Sequence, residues 1–69
     1  MKPVEVGDIW LHTIAEFHGD DMQWAKREVL ILEINDAGYG KERVEMLVLA
    51  TGKLVDCYRE YMKDSEFVT

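Results

Sequence analysis

The stretch RVEMLVLATGKLVDCY, Arg43 to Tyr58, decides how the chain is read. Over Arg43-Val44-Glu45-Met46 polar and apolar residues alternate with a period of two, which is the mark of a strand rather than a helix. Five uncharged residues, Met46 to Ala50, then run directly into Thr51-Gly52-Lys53, a tight turn in which glycine can take positive φ. A second patterned run, Leu54 to Tyr58, follows as another strand. The alternation places Val44, Met46, Val48 and Ala50 on an inner face and leaves Leu47 and Leu49 on the outer one.

The same surplus recurs upstream. Glu28 to Asn35, EVLILEIN, reads as a strand with Leu30, Leu32 and Ile34 on one face and Val29 and Ile31 on the other. Asn35 to Glu42, NDAGYGKE, supplies a hairpin loop wide enough for a bulge. A small barrel covers one sheet face with itself and leaves the other mostly wet. Two neighbouring strands with apolar residues on both faces exceed that need, and make Ile31, Leu47 and Leu49 candidates for burial by a second chain.

Further out, Gly7-Asp8 reads as a turn into a strand over Ile9 to Ile14. Ala15 to Lys26, AEFHGDDMQWAK, is expected to form a long irregular first loop. A rival reading makes it partly helical. Asp20 and Gln23 have capping-box spacing, and Met22, Ala25 and Val29 fall at helical intervals, so a helix near residues 21–29 would give an α+β fold. Past Tyr58, REYMKDS reads as one or two turns of α or 3₁₀ helix, and Glu66 to Thr69 as a short final strand. The whole chain, residues 1–69, makes one domain.

Composition narrows the function classes. With 48% hydrophobic and 32% charged residues the chain is ordinary globular protein, not disordered. No run approaches the roughly 18 apolar residues of a membrane span, and the N-terminus lacks a signal peptide's apolar core, so a soluble protein is expected. One cysteine, Cys57, excludes an intrachain disulfide and fits a reducing, cytoplasmic setting. The net charge is −6. Up to Trp24 the single base Lys2 faces five acids, Glu5, Asp8, Glu16, Asp20 and Asp21. Nucleic-acid binding needs clustered Lys and Arg, and adhesion to an anionic membrane does too; neither is expected.

The order of elements resembles the SH3-like barrel: a strand opening with VGDIW, a first long loop, two strands joined by NDAGYGKE, the TGK turn, a fourth strand, a helical turn and a terminal strand. In particular, ATGKLVDCYREYMKDSEFVT is similar to the endings of small SH3-like barrel proteins encoded by tailed phages. That resemblance implies a five-stranded all-β barrel and, for a phage protein, the cytoplasm of a host cell. It implies no particular activity, because such barrels host many. The tyrosine-rich opening motif of peptide-binding SH3 domains is replaced by EVGDIW, so their proline-peptide site is not carried over.

Catalytic and metal constellations are weak. His12 falls on a strand and His18 in the expected loop, so their spacing with Asp20 and Asp21 enforces no convergence on a metal. GYGK, Gly38 to Lys41, lacks the spacing of a phosphate loop. Ser65, the sole serine, is flanked by Asp64 and Glu66. The expectation is a non-enzymatic protein without cofactor. Among the aromatics, Trp10 and Phe67 are expected in the core, whereas Trp24, Tyr39 and Tyr61 fall in loops or turns, where such rings often meet a partner. The candidate interface is therefore Ile31, Leu47, Leu49, Trp24, Tyr39 and Tyr61, and the candidate acidic loop Glu16, Asp20 and Asp21. The leading expectation is a self-associating interaction or assembly module. The alternatives are coverage of the outer face by Phe17, Met22 and Trp24 as an internal lid, or an acidic inhibitor that mimics nucleic acid on a basic host protein.

Overall fold

A computed structural model describes residues 2–69. Five antiparallel strands, β1 (Ile9–His18), β2 (Asp21–Gly38), β3 (Lys41–Val48), β4 (Leu54–Tyr58) and β5 (Glu66–Phe67), form one sheet in the order β4-β3-β2-β1-β5. A 3₁₀ helix, Arg59–Asp64, joins β4 to β5. The protein is all-β, with the expected helical turn before the last strand. The sheet is not closed by hydrogen bonds: β4 pairs with β3 alone and β5 with β1 alone.

The bend of β2 organises the fold. At about 3.3 Å per residue its 18 residues would extend roughly 60 Å if straight. The longest dimension of the molecule is 35 Å, so β2 must turn sharply. Residues 21–30 pair with β1 and residues 29–38 with β3, and the register slips between Ile31 and Glu33 and again between Asp36 and Gly38. Such bulges bend a strand and add twist. The first one also shifts side-chain parity. Val29 and Ile31 face the core, and after the slip Ile34 faces it as well, opposite Val44. The alternation in the sequence had grouped Ile34 with Leu30 and Leu32; the extra residue at the bulge separates them.

The core occupies the concave face only. Val4, Trp10, Val29, Ile31, Val44, Met46, Val48 and Met62 are buried, and Ile14, Ile34, Val55 and Cys57 pack against them. Val44, Met46 and Val48 are inner as their alternation requires, but Ala50 lies exposed in the turn. Trp10 is buried, whereas Phe67 is partly exposed and meets the Trp10 ring edge-on at 5.5 Å. The N-terminal segment is hooked onto the sheet by Asp8. Its carboxylate accepts from Lys2 Nζ (2.8 Å), from the Glu5 N–H (3.0 Å) and from Trp10 Nε1 (3.2 Å). Ile31 then ties that turn to β2: Gly7 N–H donates to the Ile31 carbonyl, and Ile31 N–H donates to the Asp8 carbonyl.

Two expectations for Ala15 to Lys26 are corrected. The segment is neither an irregular loop nor a helix near residues 21–29: β1 and β2 run as one hairpin, paired from Ile9↔Leu30 to His18↔Asp21 around Gly19-Asp20. Gly19, at φ 67°, sits first in a two-residue turn, where a hairpin places glycine. The helical spacing fails because Met22 lies on the outer face while Ala25 and Val29 lie on the inner one. Glu16 and Arg27 lock the arm, with Arg27 Nε and Nη2 each donating to a Glu16 oxygen at 2.8 Å. This guanidinium holds the Glu16 carboxyl below its ordinary range. The final strand is also shorter than expected; Val68 and Thr69 continue past it and donate to the Ile9 carbonyl.

Candidate interaction surface

Directly paired residues of antiparallel strands present their side chains on the same face. Across the convex face this builds a continuous apolar row: Ile9 opposite Leu30, Leu30 opposite Leu47, and Leu47 opposite Leu54. Ile9, Leu30 and Leu47 shelter one another and are half-buried, whereas Leu54 at the sheet edge is 73% exposed. Leu32 flanks the row on one side, and Leu11 and Leu49 on the other, with Leu49 N–H bonded to the Glu28 carbonyl. Single exposed leucines are normal on protein surfaces; a row crossing four strands is not.

One residue pair further along the strands the row gives way to acids. Glu33 lies opposite Glu45, and Glu45 opposite Asp56. A shallow concavity of about 500 Å³ spans the border, lined by Leu32 and Leu54 on the apolar side and by these three acids on the other. Like charges directly opposite one another destabilise a sheet. Asn35 Nδ2 bridges the pair, at 3.0 Å from Glu45 and 3.5 Å from Glu33, and Arg43 stands 4.0 Å from both Glu45 and Asp56. A hydrogen bond shared with Glu33, together with desolvation and the Glu33 charge, raises the Glu45 carboxyl above its ordinary range.

The sequence-expected interface residues scatter. Leu47 and Leu49 belong to the convex row. Ile31 does not: at 1% exposure it is core, because its pairing with Met46 puts it on the same face as Val29 and Trp10. Trp24, 67% exposed, stands opposite Ala15 on the hairpin arm, with Phe17 opposite Met22 beyond it. These arm residues stay exposed and form no lid over Ile31. Tyr39 is fully exposed at the tip of the β2–β3 hairpin with φ 56°, beside Gly40 at φ 73°. Two positive φ values describe the type I′ turn, where Asn or Gly is the usual first residue and a tyrosine is strained. Tyr61 lies on the 3₁₀ helix, 6.3 Å from Tyr58, whose ring also carries Lys41 Nζ at 4.9 Å.

The acidic loop is likewise redistributed. Glu16 is an inner-face strand residue bound to Arg27, Glu5 and Asp8 hold Lys2, and Asp20 and Asp21 form the arm's tip. The histidines do not converge. His12 Nδ1 lies 2.7 Å from Ser65 Oγ, and desolvation pushes its imidazole below the ordinary range, while His18 is exposed at the arm's end. Among the described residues no group of three or more His, Cys, Asp or Glu is placed to hold a metal ion, and no helix is long and apolar enough to cross a membrane. Burial, aided by Asp56, raises the Cys57 thiol, which disfavours the nucleophilic thiolate.

Sequence reading missed Leu54 and Ile9 as surface residues. The signal for Leu54 was present, since a tight turn after Leu49 fixes its register against Leu47. Ile9 could be placed only through the hairpin that had been read as a loop. No protein-family model matches the chain, and neither a curated protein nor a solved structure matches it.

Proposed function

We propose that this protein is a non-enzymatic interaction or assembly module that self-associates through the convex face of its sheet. The observation that carries the reading is the apolar row Ile9–Leu30–Leu47–Leu54, which lies on the face away from the core and is covered by no other element among the described residues. Stable interfaces remove about 800 Å² per partner from water. That is about a sixth of this protein's 4919 Å², which the row and its flanking leucines can reach only as part of a broad face-to-face contact. A two-fold axis between the Ile9–Leu54 and Leu11–Leu49 rows would stack two such faces. It would set the acids Glu33, Glu45 and Asp56 of one copy over the Thr13–Lys26 row of the other.

The architecture is read as an SH3-like barrel left open along one side. Its support is the bent β2 shared by both halves of the sheet and the 3₁₀ helix that spans from β4 to β5. With the resemblance of the C-terminal sequence, this favours a phage-type assembly protein acting in a host cytoplasm.

Light scattering coupled to size-exclusion chromatography tests the association at low and high salt. A salt-resistant dimer or larger closed species is expected, because apolar contacts survive screening. Leu47→Lys should dissociate it. A monomer under both conditions refutes the reading, and binding to basic proteins that collapses with salt would favour acidic mimicry instead.

A further inference from the structure

A second surface lies along the open edges of the sheet, where β1 and β4 face each other without pairing. We propose that this seam is a strand-binding slot, filled by an extended segment of a partner protein with apolar side chains at alternate positions and basic ones between them.

The backbone supplies the first argument. Val48 donates to the Lys53 carbonyl at 2.8 Å. Antiparallel ladders alternate, so in the continuous β3–β4 register Val55 and Cys57 bond to β3, while Leu54 and Asp56 aim their N–H and C=O groups outward; Tyr58 caps the 3₁₀ helix and gives its carbonyl to it. On β1, Ile9 donates to the Thr69 carbonyl at 2.8 Å and accepts from Val68 N–H at 2.9 Å, so it faces away from β2. By the same alternation Thr13 and Ala15 also face away from β2. The two-residue β5 reaches only Leu11, which leaves them without a strand partner. Two rows of unpaired backbone donors and acceptors therefore flank the seam.

Between them runs a trough of about 590 Å³, with Thr13 and Ala15 on one side, Val55 and Cys57 on the other, and Ile14 and Met46 among its apolar lining. Backbone edges call for a strand, and apolar walls call for apolar side chains at every second position. Sheet edges are usually protected by lysine or proline; β4 has neither, and its single charge is Asp56. Asp56 and Asp64 line the trough, which favours basic residues at the intervening positions.

Among the described residues, the segments before β1 and after β5 are engaged elsewhere. Val68 and Thr69 are bonded to Ile9, and the segment before β1 is held by Ile31 and by Arg59, which donates to the Val4 carbonyl at 2.8 Å. A second copy's β4 arrives attached to its own β3, which a slot walled on both sides does not admit. A segment from another protein fits.

The probe is an acetylated and amidated heptapeptide alternating valine with lysine and threonine, titrated into isotope-labelled protein and followed by amide shifts. Shifts are expected at Leu54, Asp56, Thr13 and Ala15. N-methylation of alternate peptide residues should weaken binding at least tenfold in either phase, because one phase removes the donors facing β4 and the other those facing β1. Asp56→Pro sets a proline where the N–H points away from β3, so the ladder survives while the edge is blocked and peptide binding is lost. No shifts up to about 1 mM, shifts confined to Leu30 and Leu47, or undiminished binding in either methylated phase would each overturn the proposal. So would a β4-to-β4 dimer that Asp56→Pro dissolves. Leu47→Lys should leave peptide binding intact, which separates this slot from the self-association of the convex face.

Discussion

Ile31→Val removes one methylene from a side chain that is 1% exposed, between Val29 and the bulge and opposite Met46. Ile→Val in a packed core costs about 0.5–1.5 kcal/mol, the transfer term plus that of the small cavity left behind. A chain of 69 residues is stabilised by roughly 3–10 kcal/mol in all, so this is a visible fraction. At about 4–8 °C per kcal/mol for a domain of this size, the midpoint should fall by about 2–12 °C. Thermal unfolding followed by circular dichroism, at protein concentrations about 100-fold apart, separates core from interface. A contact between copies makes the midpoint depend on concentration; a contact within the chain does not. The Ile31→Val deficit should therefore be the same at both concentrations. A deficit that grows or vanishes with dilution would show that Ile31 belongs to a chain–chain surface and that the face assigned to Val29 and Ile31 is wrong.

Leu47→Lys should do the reverse, changing the dilute-protein midpoint by less than about 1 kcal/mol while abolishing its concentration dependence. Two carboxylates should act with opposite sign on the acid side. Asp8 is held below its ordinary range chiefly by the hydrogen bond from Lys2, so its contribution is present at neutral pH and is lost as pH falls through its lowered folded pKa. Asp8→Asn should flatten that part of the stability–pH curve. Glu45 is held above its ordinary range, so folding is favoured while it is protonated and weakens as pH rises through its folded pKa. Glu45→Gln should raise the midpoint at pH 7, and the gain should disappear on acidification towards pH 4; a loss at neutral pH would refute the assigned repulsion from Glu33. Tyr39→Asn should stabilise the hairpin by about 1 kcal/mol, since asparagine tolerates φ 56° where tyrosine is strained. A denaturant midpoint unchanged or lowered by that substitution would show that the turn carries no strain.

Period-two alternation and glycine-bearing turns sufficed to read β3, β4 and the turn between them from the sequence. Short-range rules govern those features: side chains alternate along any strand, and a tight turn needs positive φ where glycine stands. The same rules placed Leu47 and Leu49 on the outer parity, but in β2 they took Ile31, a core residue, for an outer one in place of Leu30. They failed from Ala15 to Lys26, where the arm is largely exposed, so selection for burial leaves no clean alternation even though Gly19-Asp20 marks the hairpin. Only the tertiary structure decided which leucines lie side by side. Register between strands depends on partners distant in the chain, and a single-residue slip after Ile31 reassigns every side chain beyond it. The open seam was equally invisible in the sequence, because an unpaired edge is a property of which strand lies next to which, and no residue type in β4 announces it.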